Sequence, residues 1–401
     1  MSARPEATSK PERSATGPLT ASACSGMFVF GIVMALLGAV LPSLAGRLRF
    51  NVQDIGSLFL VMNFAMLVCS LALGVAMDRF GMKLPLALGP FLVAGALVWI
   101  ARAGAFADLL PAVALLGIGG GALNGATNTL VADLHDDPQR KSAALNLLGT
   151  FFGFGALFLP FVIGALLASF ALSRLLLAAA LLTCAAGIFA GCLRFPRPKQ
   201  QHRMPFAAIA RLLRAPLLLA FAALLFFESG VEFTLGGFIS TYLTGDLGVR
   251  SISLASWILA AYWASVMLAR AVWSRVALAA EPFRILLVCS LGALLSALLS
   301  ALAPGPATAA IAIVLTGFSL AGIYPTVLGI AGARFEAHSG PAFGILFATA
   351  LLGGMLVPFL SAHIAGAAGM RWAFGGIAMA FAAIAALGRV AAQCDRASRA
   401  I

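Results

Sequence analysis

The chain has 401 residues, 62% of them hydrophobic and 10% charged, with a mean hydropathy of +1.03 and a formal net charge of +12. A water-soluble domain carries roughly 25% charged residues, so this composition excludes a soluble globular protein. The cations fall between apolar runs rather than along one face, which excludes a nucleic-acid-binding surface as the source of the basic charge.

In chain order, residues 1–21 form a polar tail. The apolar run behind it is too long for the h-region of a cleavable signal peptide. Runs of about twenty apolar residues then recur, the length that crosses a bilayer core of about 30 Å. They predict twelve helical spans, at 22–45, 52–77, 84–102, 109–132, 142–169, 173–193, 216–243, 252–274, 283–303, 307–333, 340–366 and 370–393. The expected organisation is a six-helix bundle over 22–193, a basic linker over 194–215, a second six-helix bundle over 216–393 and a tail over 394–401. With the N-terminus assigned to the cytoplasm, 20 of the 26 Lys and Arg residues fall on the cytoplasmic side. That is the positive-inside pattern, and it predicts both termini in the cytoplasm. The short polar loops suit a bacterial inner membrane.

The linker concentrates Arg194, Arg197, Lys199, Arg203, Arg211 and Arg214. These cations read either as a topology signal with an interfacial helix over 206–213, or as a dock for anionic lipid or a regulator. The six cysteines show neither CxxC nor Cys/His ligand spacing and read as small buried hydrophobes, so no metal site is expected.

An internal duplication is legible. Span five contains Gly155-Ala-Leu-Phe-Leu-Pro160-Phe161 and span eleven Gly353-Gly-Met-Leu-Val-Pro358-Phe359, both G-x-x-x-x-P-F at an offset of 198 residues. The same offset carries Gly38 onto Gly236 and Asn128 onto Thr326. The repeat predicts two homologous halves, related by an axis along the membrane normal, with a cleft between them at mid-membrane.

The loop after span two reads Gly74-Val-Ala-Met-Asp78-Arg79-Phe-Gly81-Met-Lys83. It resembles the G-x-x-x-D-R-x-G-x-K signature of the major facilitator superfamily. The resemblance implies a gating role for Gly74, Asp78, Arg79, Gly81 and Lys83, with Asp78 latching the halves through the start of span eleven. The corresponding stretch of the second half, Arg270-Ala-Val-Trp-Ser-Arg275, reads as a degenerate copy that keeps only its cations. Further motifs are Gly119-Gly-Gly-Ala-Leu-Asn124-Gly-Ala-Thr-Asn128, Leu145-Asn146-Leu-Leu-Gly149, Gly230-Val-Glu232 with Gly236, and Tyr324-Pro325-Thr326. Together they resemble the fucose/galactose/glucose–proton symporter family and its glucose-transporter-like relatives. Those symporters carry acids in spans one and four. Here span one has no ionisable side chain and span four has Asn124, so the resemblance implies a sugar-like substrate more than a coupling mechanism.

Glu228 and Glu232 lie deepest among the 14 acids and share one face of span seven. Placing a charge at bilayer depth costs at least about 2.5–3.5 kcal/mol, so the pair is expected to face a cavity and to bind the coupling ion, a proton or sodium. The alternative is that one neutral glutamate bonds neighbouring helices. Asn124, Asn128, Asn146 and Asn63 offer amides that both donate and accept, as sugar hydroxyls require, and Trp263 and Tyr324 offer rings for stacking. Asparagines in membrane helices also bond helix to helix without a ligand. Span-eight aromatics Trp257 and Tyr262 are further candidates; His338 and His363 read as structural.

The expected function is a secondary transporter of a sugar or similar polar solute, coupled to protons or sodium. It would act as a monomer in the bilayer with no cofactor and no nucleic-acid partner. Alternatives are an exporter of amphipathic compounds or lipids, and a non-transporting membrane sensor. An enzyme is not expected, since HExxH, GxSxG and P-loop sequences are all lacking.

Overall fold

The computed structural model describes residues 13–135, 137–196 and 212–399. Linker residues Arg197, Lys199, Arg203 and Arg211, with most of the interfacial helix expected over 206–213, lie outside the described residues. Twelve helices among the described residues are long and apolar enough to cross a membrane. Spans one to six are Arg13–Leu48, Val52–Phe80, Lys83–Arg102, Phe106–Leu134, Pro138–Leu166 and Leu172–Cys192. Spans seven to nine are Pro216–Gly245, Ile252–Val276 and Pro282–Ala301. Span ten is broken into Pro306–Leu320 and Ile323–Arg334; spans eleven and twelve are Ser339–Ala368 and Met370–Arg399.

The chain punctuates these helices by ordinary means. Spans five, seven, nine and the first part of ten begin on Pro138, Pro216, Pro282 and Pro306, where proline's missing N–H is no loss. Spans two and four begin with an aspartate in the first turn. Asp54 accepts from Asn51 N–H at 2.8 Å, and Asp108 from Gly104 and Ala105 N–H at 2.9 Å each. Gly81 ends span two at φ 75°, a conformation that favours glycine. The break in span ten sits four residues before Pro325, which supplies no N–H to Ala321 and whose ring crowds that carbonyl.

Large apolar side chains such as Leu181, Leu295 and Leu360 point outward as the lipid-facing surface. Glycines set the close helix crossings. A Cβ on Gly155 would strike the Phe28 carbonyl oxygen, and one on Gly353 would strike that of Phe226. Phe28 and Phe226 are themselves 198 residues apart, so the two motif glycines make the same span-five-to-span-one crossing in each half. Gly38 and Gly236, related by the same offset, meet each other where spans one and seven cross. The duplicated sequence has folded into two pseudo-symmetric six-helix bundles.

Contacts between the halves concentrate on one side of the molecule, opposite the termini. Spans two and eleven interlock through Gln53 with Gly366 and through Gly56 with Phe359. Spans five and eight meet through Gly164 and Phe161 against Trp257, and through Gly153 against Met267. Among the described residues, span four has no substantial packing against spans ten or eleven. A crevice between the halves is therefore closed on the hairpin face and opens toward the face that bears the termini.

Candidate functional site

Span seven carries the two glutamates near the middle of its length. At 1.5 Å per residue, Glu232 lies about 20 Å from the hairpin-face end of its helix, near mid-membrane. Glu228 is one turn deeper toward the termini face, 1% exposed, and its Oε2 has no hydrogen-bond partner among the described residues. The Glu232 side chain is 12% exposed and lies 3.5 Å from the guanidinium of Arg270. Arg270 in turn stacks over the ring of Phe152 in span five, with 5.0 Å from its guanidinium carbon to the ring centre.

Arg270 is the functional residue that sequence reasoning missed. It lies inside helical span eight, within the range predicted for that span, just as Gly74–Phe80 of the signature motif lies inside span two. Arginine at bilayer depth is costly unless paired, and Glu232 supplies the partner. The stretch Arg270–Arg275 is thus corrected from loop cations to the last turns of a membrane helix. The signal was present: a cation eighteen residues into an apolar run, with acids at similar depth on the preceding span.

The surroundings are aromatic. Phe152 packs edge-on to Trp263, its ring centre 6.2 Å away, and lies 5.7 Å from the ring of Phe30. Tyr262 lies 5.2 Å from Trp263, and Tyr262 and Tyr324 are within electrostatic reach of both glutamates and Arg270. Tyr324 stands directly after the break in span ten. Four buried polar atoms here, Glu228 Oε2, Tyr262 Oη, Trp263 Nε1 and Arg270 Nε, lack partners among the described residues. Buried polar groups are rarely left unsatisfied, so such a concentration marks a place built for water or a polar guest.

The other sequence-selected residues divide. Asn63 is buried and donates from Nδ2 to Phe59 O and to Gly354 O at 3.0 Å each, tying span two to span eleven. Its Nδ2 joins the halves, while its buried Oδ1 has no partner among the described residues. Asn128 donates to Asn124 O at 2.8 Å and to Asn124 Oδ1 at 3.2 Å. That pair stays part-exposed on span four. Asn146 is exposed on span five. Trp263 is 1% exposed and covers Gly236, where a Cβ would come within 2.9 Å of its ring. Trp257 faces outward, 41% exposed. His363 pairs with Phe359 O in its own helix at 2.9 Å. Of the gating set, Arg79 and Lys83 are exposed, Gly81 is the helix cap and Gly74 lies within span two; the side chain of Asp78 lies outside the described residues.

Residues 23–306 match the family model of the Major Facilitator Superfamily. The chain belongs to that superfamily. It is an integral membrane protein of a transporter family, consistent with its twelve spans and paired bundles. Among solved structures, the chain is similar to the nucleoside transporter NupG at 15% identity and a TM-score of 0.76, covering 94% of this chain and 99% of that one. It is similar to the E. coli fucose:proton symporter at 19% identity and a TM-score of 0.66, over 94% and 99%. A D-xylose–proton symporter gives 14% identity and a TM-score of 0.78, over 92% and 97%. A search of curated proteins finds no match. At these identities the likeness establishes the major facilitator fold.

Proposed function

We propose that this chain is a proton-coupled secondary transporter of a small polyhydroxylated solute, a monosaccharide first among them. It works by alternating access in a bacterial inner membrane, with both termini in the cytoplasm. The observation that carries the reading is the buried cluster of Glu228, Glu232 and Arg270. With both carboxylates ionised the cluster carries one net negative charge; one proton makes it neutral. Arg270 already occupies the cation position beside Glu232, and sodium prefers several oxygen ligands, which favours a proton as the exchangeable ion. Tyr324, Glu232 and the Asn124–Asn128 pair then supply donors and acceptors to solute hydroxyls. Two of the similar structures are sugar–proton symporters, which supports the same solute class.

The test is uptake of labelled D-glucose, D-xylose and L-fucose into proteoliposomes, under an imposed pH gradient or an imposed sodium gradient. Accumulation of one sugar driven by the pH gradient alone is expected. Accumulation that follows sodium and ignores pH overturns the coupling assignment. A second reading, export of amphipathic compounds, is favoured by the apolar wall of Phe30, Phe152 and Trp263 beside the cluster. Competition of the labelled sugars against a panel of lipids and dyes separates the two.

A further inference from the structure

A groove of about 380 Å³ lies outside the central crevice, where the start of span nine meets the end of span twelve on the termini face. Its wall is apolar: Phe283, Leu286 and Ala385 line it, and Gly388 lets span twelve close on Leu286, where a Cβ would come within 3.1 Å. Its rim is cationic. Arg389 and Arg396 are seven residues apart and share one face of span twelve, while Arg284 faces them from the first turn of span nine. All three are exposed, and none forms an ion pair among the described residues. Glu281 is the one carboxylate at the rim. Asp395, next to Arg396 in the chain, is 2% exposed and receives Arg334 Nη2 at 2.9 Å, so it faces away from the groove.

We propose that this groove seats one anionic phospholipid, its phosphate held by Arg284, Arg389 and Arg396 and an acyl chain laid along Phe283, Leu286 and Ala385. Three guanidiniums against one carboxylate leave a rim charge that only an anion balances, and guanidinium is the side chain best matched to phosphate oxygens. The apolar wall below the rim suits a lipid and has nothing to offer a free phosphate. The site is independent of the transport cluster and stands whatever the substrate proves to be.

Native mass spectrometry of the detergent-purified full chain tests it, with dioleoylphosphatidylglycerol, dioleoylphosphatidylcholine or inorganic phosphate as the probe. The wild type is expected to retain one phosphatidylglycerol in preference to phosphatidylcholine, and to lose about fivefold in affinity for each arginine replaced by glutamine. Ala392→Trp, which fills the groove and keeps all three arginines, is expected to abolish the specific adduct. Arg194→Gln with Arg214→Gln, in the linker, should leave it intact. Equal retention of the two phospholipids, or survival of the adduct in Ala392→Trp, overturns the proposal by reducing the rim to general surface charge. Displacement of the lipid by inorganic phosphate at comparable affinity makes the site one for soluble anions and overturns it equally.

Discussion

Arg270 of the second half rests its guanidinium on the ring of Phe152 of the first half, 5.0 Å from the ring centre. This contact joins span eight to span five, and the same guanidinium lies 3.5 Å from Glu232. One side chain thus joins the charge cluster to the interface between the halves. A partly desolvated cation–π contact is worth about 1 kcal/mol or somewhat more. Phe152→Leu keeps an apolar surface but removes the ring's negative face, so the ratio of the conformation closed on the hairpin face to the open one should fall about fivefold. Spin labels at the exposed hairpin-face positions Arg174 and Arg250, in a cysteine-free background, would report the shift as a larger fraction of long distances. An unchanged distribution would mean that Arg270 and Phe152 merely touch.

Charge balance sets the behaviour of the cluster itself. Glu232→Gln leaves Glu228 with Arg270, a neutral pair that needs no proton. Solute exchange should persist in this variant, while accumulation driven by a pH gradient falls at least about tenfold, the loss of about 1.4 kcal/mol of coupling. Arg270→Gln has the opposite fault, because two carboxylates remain with no cation to offset them. Removing one partner of a buried pair costs about 3–5 kcal/mol, and the partial exposure of Arg270 lowers that to about 2 kcal/mol. The variant should melt several degrees lower at neutral pH and regain part of that loss on acidification, as protons replace the missing cation. Differential scanning fluorimetry from pH 5 to pH 8 checks this, with Glu232→Gln/Arg270→Gln as the rescuing double variant.

The architecture was legible because bilayer physics leaves so few choices. Span length, the positive-inside asymmetry and the 198-residue repeat each point to the same paired bundles. The site was half legible. Glu228 and Glu232 stood out because ionisable groups in a 62% hydrophobic chain are conspicuous. Their partner was hidden by an analogy that assigned Arg270 to a loop, although the apolar run continues past it. The repeat also carries a warning that only coordinates made useful. The positions 198 residues before Glu228, Glu232 and Arg270 are Phe30, Met34 and Ala72, so the halves share a backbone but the charge chemistry belongs to one of them. At Asn63 the limit is a different one. Sequence shows that an amide is in the membrane, but not whether its donors are already spent.

That distinction can be measured at Asn63. Its Nδ2 bridges Phe59 O and Gly354 O across the interface between spans two and eleven. Interhelical hydrogen bonds in membrane proteins are worth about 0.6 kcal/mol on average and up to about 1.7 kcal/mol. Asn63→Leu should therefore lower the melting temperature modestly and loosen hairpin-face closure, while solute affinity of the competent state changes little. A large loss of solute affinity with unaltered stability would return Asn63 to the ligand set.

The duplication makes a paired expectation about packing. Gly155 meets the Phe28 carbonyl and Gly353 the Phe226 carbonyl, each so closely that a methyl group has no room. Neither neighbour can turn aside, because both are backbone atoms of a helix. Gly155→Ala and Gly353→Ala must each push two helices apart, an overpacking cost of about 1–3 kcal/mol. Gly149 in the same span has open space around its would-be Cβ. Gly149→Ala should be neutral or stabilising by up to about 1 kcal/mol through its better helix propensity. Reversible unfolding in mixed detergent compares the three variants directly. The symmetry of the fold requires the two crossing glycines to lose stability by similar amounts, and a marked loss at only one of them would show that the halves bear their load unequally.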